Sequence, residues 1–198
     1  MKYLNFGAEM PSILRRVSLM GYAIFDGDRD YNLNLIGVRS PNRTPGSFDD
    51  RFFVVYKELG DWIQEIYECT TDPSAEQHLN PTNRKGVAIL KAAQYRGVWQ
   101  LDLHRGKYTA FCQRGSVVTV YRDRNRDLHT DHLHEDTGWF GINGHRAHAH
   151  KLVESTKHYS SGCQVIRSPM DWARLITLAQ CQVAAGLGEF FTYTLLED

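Results

Sequence analysis

The sequence predicts a mainly β fold with one long helix near its C-terminal end, and three patterns indicate this. Residues 31–39 begin with alternating apolar and polar side chains, which is typical of a strand with one buried face. Residues 97–123 show the same alternation, with Arg-Gly pairs placed where hairpin turns would fall, which predicts a meander of three strands ending at Tyr121. Residues 168–184 instead carry apolar side chains at helical spacing, and they begin with Ser168-Pro169, a favourable N-cap followed by a proline in the first turn.

The other predicted elements rest on similar local patterns. Residues 51–58 are aromatic and β-branched, which favours a strand, and residues 61–71 have a comparable composition. Residues 75–87 are polar and contain an Asn-Pro pair, so we expect a loop there. Residues 139–142 predict a short apolar strand, and residues 189–197 predict the last strand.

Length and composition indicate one globular domain, residues 1–198. The chain is 42% hydrophobic and 23% charged, which is ordinary for such a domain. Its 23 basic and 23 acidic residues balance, which argues against a nucleic-acid partner because phosphates demand a basic surface. No apolar run reaches the roughly 20 residues of a membrane helix, and no signal-peptide pattern is visible. We therefore expect a protein made in the cytoplasm, without a membrane partner.

The four cysteines do not suggest a metal or disulfide framework. Cys69, Cys112, Cys163 and Cys181 are widely spaced, and none belongs to a C-x-x-C pair. We expect them to be reduced thiols.

An acidic loop partly matches a calcium-binding pattern. Asp123, Asn125 and Asp127 take its first, third and fifth positions, and Asp131 takes the ninth. The sixth position is leucine instead of glycine, and the twelfth is His134 instead of glutamate. A polar loop with Asx turns is the preferred interpretation, and a bound cation is the alternative.

Histidines are concentrated in the second half of the chain. Two His-x-His pairs could suggest zinc, although no H-E-x-x-H helix motif is present. The cluster comprises His129, His132, His134, His145, His148, His150 and His158. Exposed loop histidines are the preferred interpretation, and a zinc site is the alternative.

One cysteine and one histidine are candidates for nucleophilic catalysis. His145 follows the predicted strand 139–142, and Cys163 follows a polar loop before the predicted helix. A free thiol has a pKa near 8.5, so it needs a base such as imidazole to react as thiolate. Gly162 would let backbone amides approach an oxyanion. The alternative is that Cys163 is a small buried residue beside a turn.

This segment resembles the signature of the L,D-transpeptidase catalytic domain family, a histidine followed at a distance by Ser/Thr-His-Gly-Cys. Here 14 residues lie between His145 and Ser160, and Ser160-Ser161-Gly162-Cys163 fills the tetrad. The resemblance implies Cys163 as the nucleophile, His145 as its base, and Ser160, Ser161 and Gly162 as the loop around the oxyanion. It also implies a β-sandwich-like sheet assembly. Only about 20 of the 198 residues carry this likeness, a short match for a motif.

The implied substrate is a peptidoglycan stem peptide, attacked by Cys163 at a diamino-acid carbonyl. Arg146 and Gln164 are the predicted substrate-binding residues, since an arginine can hold a carboxylate with two hydrogen bonds. Ser161 stands where the family has histidine, which leaves the acyl acceptor open between water and an amine. No cofactor and no metal are expected.

The absence of a signal peptide favours a hydrolase that reaches the cell wall after lysis, by virion delivery or by secretion. In a phage, such a lysin could also contact other virion proteins. Two rival functions remain at this point. One is a zinc hydrolase that uses the histidine cluster, and the other is a non-catalytic virion or wall-binding protein with this fold.

Overall fold

The computed structural model describes residues 1–42, 44–128 and 132–198, and its fold is mainly β. In chain order its elements are β1 (Lys2–Asn5), α1 (Ser12–Leu19), β2 (Asn34–Arg39), β3 (Asp50–Glu58), β4 (Asp61–Thr70), α2 (Ala75–Leu79), β5 (Val87–Leu90), β6 (Ala93–His104), β7 (Tyr108–Gln113), β8 (Val118–Asp123), β9 (Glu135–Gly138), β10 (Gly144–Arg146), β11 (Gln164–Ile166), α3 (Pro169–Ala184) and β12 (Phe190–Glu197).

The main sheet closes on itself. Its strand order is β1-β4-β11-β10-β7-β6-β12-β2-β3, and β3 also pairs with β4, which completes the ring. One edge of β4 is shared, because its first half pairs with β1 and its last two residues pair with β11. The two shortest strands of this ring, β10 and β11, therefore connect β7 to the end of β4.

A second sheet of three strands, β5-β8-β9, lies beside the main one. The sequence predicted that residues 97–123 form a three-stranded meander, and this is wrong for the third strand. β6 and β7 do form a hairpin through Arg105 and Gly106, both with positive φ. β8 instead leaves the main sheet after Gly115 and pairs with β5 and β9.

The predicted C-terminal helix is confirmed as α3. The Ser168 hydroxyl accepts a hydrogen bond from the Asp171 amide at 3.3 Å, which is the expected N-cap contact. Buried aromatic side chains from the sheet pack against the helix, and Trp172 meets Phe111 edge to face with ring centroids 6.0 Å apart. Burial of this helix face in the main core stabilises the position of α3 beside β10 and β11.

Two local predictions are wrong, and one helix was missed. Residues 75–79 form the short helix α2 within the predicted loop, since His78 is buried against Asp123. Residues 139–142 are not a strand, because the backbone there turns at Gly141, where φ is +69°. Helix α1 was not predicted at all. Its apolar side chains, Ile13, Leu14 and Val17, pack on the face of the sheet that lies away from the main core.

In the described part of the chain, no helix has the length and apolar composition needed to cross a membrane.

A buried arginine joins three parts of the fold. Arg39, at the end of β2, has a fully buried side chain. Its Nε lies 2.9 Å from Asp72 Oδ1, and its Nη1 lies 2.9 Å from Glu197 Oε1. Its Nη2 donates to the Leu90 carbonyl at 2.9 Å. The guanidinium thereby holds the ends of β4, β5 and β12 together, and its charge is compensated by two carboxylates.

Replacing this arginine should strongly destabilise the fold. Arg39→Ala leaves two carboxylates without their buried partner, so we expect a loss of about 3 kcal/mol in the free energy of unfolding. Arg15→Ala, which removes an exposed ion pair with Glu9, should cost about 1 kcal/mol or less. Urea unfolding followed by tryptophan fluorescence measures both, and equal losses would contradict the role given to Arg39.

Candidate active site

His145 lies on β10, and Cys163 immediately precedes the neighbouring parallel strand β11. β10 and β11 pair in parallel with His145 opposite Val165. Residues opposite each other in a sheet share a face, as do residues two apart in one strand, so Cys163 lies on the His145 face. Contacts of Cys163 and Ala147 with Val165 agree with this placement. The pairing thus places both predicted catalytic residues on one face of the sheet, and catalysis by them stays a prediction.

Close packing at Gly144 fixes the position of β10 relative to the residues beneath it. This residue lies opposite Phe111 of β7. A Cβ at position 144 would stand 3.3 Å from Phe111 Cβ and 3.3 Å from Trp99 Cη2, so a larger residue would push the strand outward. Trp99 Nε1 also donates to the Ile142 carbonyl at 2.8 Å. These contacts position the backbone from which the His145 ring projects.

A backbone carbonyl fixes the tautomer of His145. The imidazole Nδ1 lies 2.9 Å from the carbonyl oxygen of Arg146, which can only accept, so Nδ1 carries the proton. In the neutral ring, Nε2 then has a free lone pair and can take a proton. This is the arrangement a general base requires.

A second histidine stacks on His145. The rings of His104 and His145 have centroids 4.5 Å apart and an interplanar angle of 27°. Burial lowers the pKa of His145 to about 4, with His104 and Arg105 acting in the same direction. Burial also lowers the pKa of His104. Both rings are therefore neutral near pH 7.

The thiol of Cys163 is partly exposed and faces backbone groups. Sγ donates to the Gly141 carbonyl at 3.4 Å. Burial raises the pKa of the thiol, while the Asn143 amide and the charge of Arg105 act to lower it. The thiol and the imidazole are consequently both neutral near pH 7.

Asn143 bonds to three neighbouring segments of this site, and sequence reasoning did not select it. Its side-chain Oδ1 accepts from the Gln113 amide at 2.8 Å, and its Nδ2 donates to His104 Nδ1 at 3.2 Å. Its carbonyl accepts from the Gln164 amide at 2.8 Å. Asn143 thus lies at the junction at which strands β7, β10 and β11 meet.

The two serines of the predicted oxyanion loop have different roles. Ser160 is buried, and its hydroxyl donates to the Cys163 carbonyl at 2.9 Å and accepts from the Gly162 amide at 3.2 Å. Ser160 therefore clamps the loop that presents the cysteine. Ser161 is exposed and lines a cleft that has Ala88 and Trp139 among its other lining residues. The loop geometry gives neither serine hydroxyl a place against the Cys163 sulfur.

Gly162 is held in a conformation that other residues rarely adopt. Its φ is +117°, and a Cβ there would lie 2.3 Å from the Ala88 carbonyl oxygen. The loop thus turns tightly over β5 just before the cysteine, and only glycine fits.

Gln164 does not face a substrate. Its side chain is fully buried, Oε1 accepts from the Tyr193 hydroxyl at 2.7 Å, and Nε2 lies 3.3 Å from the Gly162 carbonyl. The substrate-binding role predicted for Gln164 is therefore replaced by a structural one. The amide ties the cysteine loop to β12 because alternation along β11 turns it toward the core.

Arg146 lines a small cavity beside His145. The cavity has a volume of about 200 Å³ and is also lined by Arg105, Lys107 and Tyr108. The Arg146 guanidinium lies over the Tyr108 ring, 4.2 Å from its centroid, which holds the charge at the cavity wall. The side chains around His145 thus make a basic opening, and Arg146 remains the predicted substrate-binding residue.

The other histidines do not converge on one point. His132 stacks on Tyr121, His148 meets His150 edge to face, and His158 Nδ1 lies 2.6 Å from Glu76 Oε2. Within residues 1–42, 44–128 and 132–198, no group of three or more His, Cys, Asp or Glu side chains is placed to hold a metal.

The start of the predicted calcium loop serves another purpose. Asp123 turns inward and its Oδ2 lies 2.6 Å from His78 Nδ1, with both side chains fully buried. His129 and Asp131, on which the remaining metal interpretations depended, lie outside the described residues.

Comparison with protein-family models, with curated proteins and with solved structures finds no match to this chain.

Substitution of the loop glycine should disrupt the site. Gly162→Ala adds both backbone strain and a clash with Ala88, so we expect the free energy of unfolding to fall by about 2–5 kcal/mol. Gly186→Ala is the matched control, because Gly186 has φ of +67° but open space around its Cβ position. It should cost only about 1–2 kcal/mol. Thermal or urea unfolding of the two variants separates strain from the clash, and equal costs would contradict the close approach to Ala88.

The buried His145 should make stability depend on pH. The unfolded chain binds a proton at this histidine below about pH 6.5, whereas the folded chain does so only near pH 4. Stability should therefore fall by up to about 3 kcal/mol as pH drops through that window. Burial raises the pKa of Asp50 to about 6, which acts in the opposite direction.

The difference between wild type and His145→Gln isolates this effect, because both proteins keep Asp50. Urea unfolding at pH 7 and pH 4.5 should show wild type losing more stability than the variant. Equal losses would mean that His145 protonates as readily in the folded protein as in the unfolded chain.

Proposed function

We propose that this protein is a cysteine acyltransferase or peptidase that acts on peptidoglycan stem peptides, in the manner of the L,D-transpeptidases that its His145 to Cys163 segment resembles. The observation that carries the proposal is the parallel pairing of β10 and β11. It sets Cys163 and His145 on one face, with the imidazole tautomer fixed by the Arg146 carbonyl.

The proposed reaction begins with transfer of the thiol proton. The Cys163 side chain rotates from the Gly141 carbonyl toward His145, and Nε2 takes the proton. The thiolate attacks a peptide carbonyl carbon, and the oxygen becomes an oxyanion. When the carbon–nitrogen bond breaks, the leaving amine takes the proton from His145, and a thioester remains on Cys163. Water or an acceptor amine then attacks the thioester and restores the thiol.

A neutral thiol and a neutral imidazole at rest are compatible with this order of reaction steps. Ionisation is not needed before the substrate arrives, since the proton can move as attack begins. Burial raises the pKa of the Cys163 thiol overall, and Arg105 and the Asn143 amide act against that rise. Both features stabilise negative charge on sulfur in a site from which much water is excluded.

The charge of the cavity supports a carboxylate-bearing substrate. Arg105, Lys107 and Arg146 line it, and no carboxylate is present among its lining residues in the described chain. A stem peptide carries free carboxylates, which an arginine held flat on Tyr108 can bind with two parallel hydrogen bonds. Hydrolysis is preferred over cross-linking as the second step, with a role in a phage particle or a delivered lysin. A virion protein that binds wall material without turnover is the alternative.

Purified muropeptides test the proposal. Wild type should convert them to products that mass spectrometry identifies as shortened or cross-linked stems, whereas Cys163→Ala and His145→Gln should lower the rate by at least about 10³-fold. Cys112→Ala is the matched control, because Cys112 is a buried cysteine of β7 whose Sγ lies 3.7 Å from the Asp102 carbonyl.

Activity of Cys163→Ala equal to that of wild type would overturn the assignment of the nucleophile. Absence of any turnover by a folded wild-type protein would overturn the enzymatic function itself. Addition of a chelator should leave the rate unchanged if the cysteine carries the chemistry.

A further inference from the structure

A second cleft lies on the other side of the cysteine loop. Its volume is about 290 Å³, and it runs between α2, the second sheet and the residues that lead into β10. Ser161 lines it, two residues before Cys163, and Phe140 lines it next to the residue whose carbonyl accepts the thiol proton. The cleft and the thiol therefore share one pair of loops, although they open on different sides of it.

An exposed tryptophan forms one wall of this cleft. Trp139 is 58% exposed, whereas Trp62, Trp99 and Trp172 are at most 4% exposed. All four tryptophans lie in the described part of the chain. A large aromatic face left in water beside a concave site is a usual platform for an apolar face of a ligand.

Amide groups supply polar contacts opposite the aromatic wall. Gln77 and Asn83 line the cleft, and the Oε1 atom of Gln77 is buried without a hydrogen-bond partner within the described structure. A buried acceptor of this kind is costly unless a ligand or water donates to it. An acceptor without a partner therefore lies at the wall of the cleft, where a donating hydroxyl or amide N–H would satisfy it.

The cleft is rigid and close to neutral. The buried contact of His78 with Asp123 holds α2, and thereby Gln77, against the end of β8. Arg122 lies over the Phe140 ring at 4.5 Å, and its Nε is 3.2 Å from Asp136, which Lys85 also contacts, so its charge is partly compensated. Among the cleft-lining residues that the structure describes, none is a carboxylate. These features favour an uncharged polar ligand over an ion.

We propose that this cleft is a binding site for a saccharide with N-acetylated amino sugars. The flat C–H face of a pyranose fits against Trp139, and its hydroxyl and acetamido N–H groups match the free Gln77 acceptor and the Asn83 amide. The choice of amino sugar rests on the proposed function, since a peptidoglycan substrate carries a stem peptide on such a glycan. One substrate would then place its peptide at Cys163 and its sugar on the far side of the same loop.

An oligosaccharide without any peptide tests this site separately from catalysis. The probe is the β-1,4-linked tetramer of N-acetylglucosamine, added to the Cys163→Ala protein. The tetramer should protect the fluorescence of Trp139 from quenching by iodide. The three buried tryptophans do not contribute to this change, because iodide does not reach them. Calorimetry should show saturable binding, with affinity about tenfold weaker in Trp139→Ala and measurably weaker in Gln77→Ala.

Tyr3→Ala is the matched control, because Tyr3 is an exposed aromatic residue on β1, 48% exposed and outside the cleft. It should leave the affinity unchanged. Lack of protection at oligosaccharide concentrations up to about 10 mM, beyond the range of a weak specific site, would overturn the proposal. Equal loss of affinity in Tyr3→Ala and Trp139→Ala would overturn it as well.

The two proposals fail in different ways. A wild-type protein that binds the tetramer through Trp139 but turns over no muropeptide supports the saccharide site and overturns the enzymatic function. A protein that turns over free stem peptide but ignores the tetramer supports the enzyme and overturns the saccharide site.

Discussion

The parallel pairing of β10 with β11 is the contact on which the candidate site depends. Each strand has three residues, yet together they bridge β7 and β4 and complete the ring of the main sheet. The same pairing sets His145 and Cys163 on one face. Asn143 prepares this junction, because its side chain and backbone bond to β7, to His104 and to β11 at once. Closure of the fold and assembly of the site are therefore one structural event.

Burial gives the site its chemical character. Removal of water lowers the pKa of His145 and raises that of Cys163, so both groups are neutral at rest. The protein then compensates with fixed dipoles and charges, namely the Arg146 carbonyl on Nδ1, the Asn143 amide on the sulfur and Arg105 nearby. In the proposed reaction, such an arrangement keeps the thiol unreactive until a substrate carbonyl accepts the negative charge.

Local patterns in the sequence predicted elements whose environment is simple. Helix α3 follows from its spacing and its Ser168 cap, and the β6–β7 hairpin follows from alternation and Arg105-Gly106. Prediction failed where distant contacts decide the outcome. No local pattern in β8 indicates that this strand leaves the main sheet. Helix α1 is so short that its formation depends on packing against the sheet. Within the candidate site, residue chemistry and the family resemblance selected the histidine and the cysteine, and their catalytic roles stay predictions. His104 and Asn143 were not, because their roles exist only once strands far apart in sequence are side by side.

The ring is unevenly bonded around its circumference. β3 and β4 are matched over nine residue pairs, whereas β10 meets β7 at one pair and β11 meets β4 at two. Local opening follows the weakest hydrogen-bonded segment, so amide hydrogens of β10 and β11 should exchange with solvent before those of β3 and β4. Local opening at these strands would separate Cys163 from His145 while the rest of the sheet stays intact. Heating should then abolish the proposed activity at a lower temperature than the one at which the protein unfolds.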